Sequence, residues 1–336
     1  MEEFTLLLSM QTEKTASLLF RTARRIRERF YGKRVFIRGL IEFTNYCRND
    51  CYYCGIRRSN QEVQRYRLTE EEILSCCENG YRLGFRTFVL QGGEDPGASF
   101  ERDLALAETV RKIRNRFPDC AITLSAGERT REIYELWFQA GVDRYLLRHE
   151  TADEEHYRRL HPPEMSGLHR KECLKALKEI GYQTGAGMMA GSPGQTFTHL
   201  AEDLVFLQDL KPEMVGIGPF LPHHATPFAE ERSGTLELTL YLLGIVRLML
   251  PRVLLPATTA LGTVDEGGRE LGLLCGANVV MPNLSPSSVR ENYLLYDNKL
   301  CTGCEAAEGL LKLHCSVEAI GYEIVAERGD WAGYRR

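Results

Sequence analysis

Short apolar, β-branched runs alternate with segments of helical period about eight times along this chain, and no other feature restricts the fold so sharply. The runs fall at residues 35–44, 87–90, 121–125, 144–149, 184–189, 214–218, 253–258 and 278–281. Most are apolar on every position, as strands covered on both faces must be. Helical segments follow at 69–83, 100–116, 132–140, 170–180, 197–210, 236–250 and 266–274; the first opens on Thr69 with Glu70, Glu71 and Glu72 in its leading turn, which suits the positive end of a helix. The fold class this predicts is α/β, a (β/α)8 TIM barrel over residues 35–284. A helical extension (1–34) precedes it and a C-terminal extension (285–336) follows. The length of 336 residues fits one large barrel. In such a barrel the chemistry lies at the carboxyl ends of the strands.

Composition narrows the partners. A net charge of −4 argues against a nucleic-acid partner, which a basic stripe would mark, and the run Arg21, Arg24, Arg25, Arg27 and Arg29 reads as the solvated face of a leading helix. Glu2 and Glu3 open the chain without an apolar stretch, and no segment has the length and apolarity of a membrane span, so a cytoplasmic location is expected. Eleven cysteines in that setting point to reduced thiols and metal chemistry. Cys76, Cys77, Cys120, Cys173 and Cys275 fall where cysteine serves as a small apolar residue.

Immediately after the first strand the chain reads Cys47-Arg48-Asn49-Asp50-Cys51-Tyr52-Tyr53-Cys54. Three thiolates at this spacing can hold three irons of a 4Fe-4S cluster and leave the fourth iron open to a chelating ligand, the amino and carboxylate groups of S-adenosylmethionine. A zinc site is the alternative, with a distant residue such as His149 as fourth ligand. So is a non-catalytic iron-sulfur protein.

Polar residues gather where other strands end. Gly92 and Gly93, followed by Glu94, let backbone approach a ligand. Thr123 and Ser125 carry hydroxyls on one side of their strand, and alternation puts Arg148 and Glu150 on a common side, paired with each other or with a ligand. Thr258, Thr259 and Arg269 make a corner suited to an anion. His223 and His224 read as surface groups.

The stretch CRNDCYYCGIRRSN (47–60) resembles the cluster loop of radical S-adenosylmethionine enzymes of the biotin-synthase-like class. Within that class the chain is similar, over about residues 35–295, to FeFe-hydrogenase maturation proteins of the HydE type, through LQGGEDP (90–96), DRYLLRHETA (143–152), GSPGQT (191–196), MVGIGPFLPH (214–223) and PATTALGT (256–263). The resemblance implies reductive cleavage of S-adenosylmethionine to a 5'-deoxyadenosyl radical, in the service of hydrogenase di-iron subcluster assembly. It implies a small-molecule or iron-containing substrate, a reductant such as a ferredoxin or flavodoxin, and contact with other maturation proteins. Cys47, Cys51 and Cys54 are then the catalytic metal ligands, while Tyr53, Gly92, Gly93, Glu94, Thr123, Ser125, Arg148, Glu150 and Arg170 bind the cofactor. Thr258, Thr259 and Arg269 face the substrate. Cys301, Cys304 and Cys315 are candidates for an auxiliary 2Fe-2S cluster, with loose thiols the alternative. Another member of the class, such as a methylornithine-forming mutase, is the runner-up. Sulfur insertion of the biotin-synthase kind is disfavoured, because it needs further cysteines along the strands.

Overall fold

The computed structural model describes residues 1–97, 99–300 and 307–334. Its strands are β1 (Arg34–Ile37), β2 (Gly39–Thr44), β3 (Thr87–Gly92), β4 (Ala121–Ser125), β5 (Arg144–Leu146), β6 (Gln183–Ala190), β7 (Met214–Pro219), β8 (Val279–Val280) and β9 (Glu323–Val325). β2 to β7 form one parallel sheet in sequence order, and β8, β1 and β9 form a second, with β1 in the middle. Isolated bridges Met214↔Leu254, Pro256↔Val279 and Leu40↔Asn283 carry pairing from β7 through residues 254–256 to β8 and back to β2. The α/β class is as expected, with single bridges standing in for regular ladder on that side.

Two departures from the expected strands have local causes. The segment 253–258 makes bridges only, because Pro256 at its centre has no N–H to give a ladder. The run 35–44 divides at the buried Arg38: β1 pairs with β8 and β9, whereas β2 pairs with β3. The C-terminal segment, counted outside the barrel on sequence, lays β9 parallel to β1.

Helices begin and end on the expected chemistry. Thr69 Oγ1 accepts from Glu72 N at 3.2 Å while Glu72 Oε2 accepts from Thr69 N at 2.7 Å, a reciprocal cap on Glu70–Arg82. Ser166 caps Gly167–Ile180 three residues upstream of the expected start. The expected helix 266–274 is preceded by a separate turn, Thr259–Val264, and shortens to Gly268–Leu274. Arg27 corrects the reading of a solvated basic face. It is fully buried, donates to the carbonyls of Ala277, Gly32 and Arg34, and lies 3.9 Å from the Tyr322 ring centre. Burial pushes its pKa down to about 10.

Ile41, Phe88, Leu90, Ile122, Leu124, Ala186, Met188, Val215 and Ile217 pack outward into the main apolar core against the helices. Alternation then turns Leu40, Glu42, Val89, Gln91, Thr123, Ser125, Gly185, Gly187, Gly216 and Gly218 to the inside. Of the inner glycines Gly185 and Gly187 sit against neighbouring atoms, whereas Gly216 leaves that side open. A Cβ on Gly216 would meet nothing nearer than Arg148 Cδ at 4.0 Å.

Candidate active site

The cysteine loop leaves β2 at Thr44 and is held on several sides. Arg65 donates from one terminal nitrogen to the carbonyls of Asn45 (2.6 Å) and Ile56 (2.8 Å), and from the other to those of Arg57 (2.6 Å) and Asn60 (3.1 Å), so one guanidinium ties both ends of the loop. Asp50 accepts from Arg57 Nε and Ser59 Oγ, each at 2.7 Å, and these bonds hold its carboxyl well below the usual range. Asn45 donates to the carbonyls of Gln64 and Asn292. Gly93 is required by close approach: a Cβ there would lie 2.3 Å from the Tyr46 carbonyl oxygen and 2.9 Å from Cys47 Cβ.

Cys47, Cys51 and Cys54 are partly exposed free thiols. Burial pushes the Cys51 thiol far up, with Cys54 and Cys47 adding to it, and pushes Cys54 up to about 12. Among the described residues only His223, His224 and Asp297 bring three ligand atoms within 4.8 Å of one another, so the three thiols do not all lie that close together. Tetrahedral zinc, with bonds of about 2.3 Å, needs thiolates about 3.8 Å apart. Three thiols on one loop suit three corners of an iron-sulfur cube and leave the fourth iron open.

Glu94 departs from the expected role. Its carboxylate takes Arg48, Asn49 Nδ2 (3.1 Å) and the Glu128 amide (2.9 Å), and its carbonyl accepts from Arg48 N at 2.7 Å, so it is spent on pinning the cysteine loop. The chain of contacts runs on. Glu128 Oε1 accepts from Arg170 Nε at 2.7 Å, Arg170 also donates to the Arg148 carbonyl at 3.1 Å, and Arg148 is ion-paired with Glu150 at 3.3 Å. That pair forms for a reason alternation does not supply. β5 stops at Leu146, and Glu150 adopts φ +65°, a left-handed conformation uncommon for a side-chain-bearing residue. The sequence reading missed Arg65 and Glu128. Neither has a motif; Glu128 is marked only by its place after Gly127 at a strand end.

Buried polar atoms without a protein partner collect on the inner side: Thr123 Oγ1, Arg148 Nε and Thr258 Oγ1. A buried donor or acceptor left alone is costly, so a polar group brought to this side would find partners ready. Thr258 is the N-cap of the short helix carrying Thr259, and Arg269 is buried on the next helix. Tyr53 packs with Leu160, Met189, Phe220 and Phe228. His224 Nδ1 lies 2.7 Å from Asp297 Oδ1, and the His223 and His224 rings stack at 4.3 Å. Cys315 is exposed on the helix Leu310–Ala319, and Cys301 and Cys304 lie outside the described residues.

A parallel α/β fold with a three-cysteine loop after its first sheet strand and a polar interior defines a class, and the comparisons agree: the radical SAM superfamily profile matches residues 41–207. HydE of Thermotoga maritima, an [FeFe] hydrogenase maturase subunit, is 45% identical over 318 residues, covering 95% of this chain and 89% of that protein. The chain belongs to the radical SAM superfamily and is an enzyme that uses a 4Fe-4S cluster and S-adenosylmethionine. The 3-methylornithine synthase of Methanosarcina barkeri is 32% identical over 294 residues, 88% of this chain and 82% of that protein. A crystal structure of methylornithine synthase superposes with a TM-score of 0.85 at 28% identity, covering 96% of this chain and 93% of that one. HydG of Carboxydothermus hydrogenoformans shares the fold, with a TM-score of 0.82 at 22% identity over 96% of this chain and 75% of that one.

Proposed function

We propose that this enzyme acts in maturation of an FeFe hydrogenase, on a small sulfur- or iron-bearing substrate held inside the barrel. The observation that carries the reading is the 45% identity to the Thermotoga maritima maturase along 95% of the chain. When bound, the cluster and S-adenosylmethionine supply a 5'-deoxyadenosyl radical by one-electron cleavage of a carbon-sulfur bond.

The chain's own residues bind, orient and exclude water. Cys47, Cys51 and Cys54 hold the cluster; burial disfavours their thiolates, so metal binding must drive off the protons. Gly92 and Gly93 offer backbone to the amino group of S-adenosylmethionine, and Arg170 faces its carboxylate. Glu150 and Arg148 take the ribose side, Thr123 and Ser125 add hydroxyls, and Tyr53 is a wall for the adenine. Glu94 serves the same cofactor indirectly, through the loop it pins. Thr258, Thr259 and Arg269 form the substrate's anionic corner. A small acidic electron donor, a ferredoxin or flavodoxin, supplies the electron, other maturation proteins receive the product, and Cys315 with Cys301 and Cys304 holds an auxiliary cluster. The cytoplasm is the compartment that keeps these thiols reduced.

The test is anaerobic reconstitution with iron and sulfide, reduction, and assay of 5'-deoxyadenosine against a Cys51→Ser control. Formation by the wild type alone supports the reading, and a fully loaded enzyme that makes none under any reductant defeats it. The 32% identity to 3-methylornithine synthase favours a second reading, an amino-acid mutase. Formation of 3-methylornithine by the reconstituted enzyme would select it.

A further inference from the structure

Tyr53 stands between two cluster cysteines, and its hydroxyl, which also neighbours the Cys51 thiol, meets a residue that no motif marks. Its oxygen is 3.0 Å from His161 Nε2, and His161 Nδ1 is 2.9 Å from the Tyr157 carbonyl oxygen. A carbonyl can only accept, so Nδ1 carries the hydrogen and Nε2 presents its lone pair. Tyr53 must therefore be the donor. Burial keeps the imidazole neutral, pushing its pKa down to about 3.

The acceptor is itself immobilised. His161 is 1% exposed and stacks on Tyr157, ring centres 3.9 Å apart and planes at 21°. Tyr53 meets the imidazole edge to face at 5.4 Å and 86°. The neighbouring Tyr52 amide donates to the Leu160 carbonyl at 3.0 Å, and Cys51 Sγ lies 3.9 Å from Met165 Sδ. The end of the helix Glu154–Leu160 and the segment after it thus grip three successive loop residues, and the tyrosine among them is held by a directional bond at its far end.

We propose that His161 is a positioning residue for S-adenosylmethionine: as a fixed neutral acceptor it sets the plane of the Tyr53 ring against which the adenine lies. The proposal rests on the reading of Tyr53 as the adenine wall. It separates two tasks within one loop. Arg65, Asp50 and Glu94 hold the backbone that carries the thiolates, whereas His161 orients the one aromatic side chain between them. Loss of the bond leaves the cluster in place and frees the ring to rotate.

The experiment uses the reconstituted holoenzyme with Tyr53→Phe, His161→Phe, the double variant and His161→Gln, which restores an acceptor. Iron content, KM for S-adenosylmethionine in 5'-deoxyadenosine formation, and the change in the reduced cluster's EPR spectrum on adding S-adenosylmethionine are read together. Each single phenylalanine variant is expected to raise KM about tenfold, the effect of one hydrogen bond, with wild-type iron and an altered EPR response. The double variant should be no worse than either single one, and His161→Gln should return to within about threefold of wild type. Singles that multiply in the double variant, unchanged KM and EPR in Tyr53→Phe, or a His161→Gln as impaired as His161→Phe would each overturn the proposal. Tyr53→Phe keeps the ring and its packing, so it decides the matter even where His161→Phe does not fold. Tyr53→Ala tells the two readings apart. If it leaves KM unchanged, the adenine wall itself is wrong; if it raises KM while both phenylalanine variants do not, only the role of His161 falls.

Discussion

Arg65 concentrates more of the cysteine loop's order than any cysteine does, because its planar fork meets four carbonyls from both ends of the loop. A lysine offers a single ammonium and cannot span them. Arg65→Lys is expected to destabilise the loop by about 2–3 kcal/mol, as buried carbonyls lose their donor, and to lower the iron retained after reconstitution and gel filtration. Full retention would refute the anchoring role. Gly93→Ala should do still more damage, since the added methyl would sit 2.3 Å from a backbone oxygen; the check is again iron per chain. At this scale Cys47, Cys51 and Cys54 stood out in the sequence as candidate ligands because their spacing and their place after a strand are local facts. Glu94 was legible as a site residue but not in its task. Its partners Asn49 and Glu128 lie 45 residues before it and 34 after it, distances over which no local pattern carries information.

Secondary elements show the same division. Alternating apolar runs located the strands because burial on both faces demands them, whereas the segment 253–258, which makes bridges only, needed the position of Pro256 within the fold to be understood. The inner glycines predict a steric consequence: in Gly187→Ala a Cβ would fall 2.1 Å from the Gly216 carbonyl oxygen, so the β6–β7 pair should separate and the melting temperature drop sharply. Two histidines predict pH dependence of opposite sign. Burial holds His156 down to about 4, so between 4 and the ordinary value of about 6.5 the unfolded chain binds a proton that the folded chain refuses. That stability is complete above 6.5 and is lost as pH falls. The wild-type melting temperature should decline from pH 6.5 to 4, less steeply in His156→Gln; an unchanged slope excludes this group. The bond to Asp297 raises the pKa of His224, so its contribution is present below 6.5 and fades as pH rises. Exposure keeps that second effect small.

Across the whole molecule the C-terminal segment closes the end of the barrel opposite the cysteine loop. Arg144, fully buried at the start of β5, donates to Asp330 Oδ1 at 2.7 Å, to the carbonyls of Arg328 and Gly329, and to Thr87 Oγ1 at 3.1 Å, while Gln183 Oε1 accepts from Trp331 N at 3.1 Å. Arg144 in particular holds Asp330 well below the usual carboxylate range. Asp330→Ala leaves a buried guanidinium short of its counter-charge and is expected to cost about 3–5 kcal/mol, read as a shift in the denaturant midpoint. A midpoint within error of wild type would show that the segment is merely draped over the barrel. The sequence by itself determined the strand-helix alternation, the cysteine loop and its position, because periodicity, burial and ligand spacing are properties of neighbours along the chain. Only the tertiary structure decided that β9 joins β1, that Asp330 seals the floor, that Glu94 serves the loop, and that His161 meets Tyr53. Those pairings cross 108 residues in the case of Tyr53 and His161 and 186 in the case of Arg144 and Asp330, and their free energy arises from burial that exists only once the sheets and helices have packed around them.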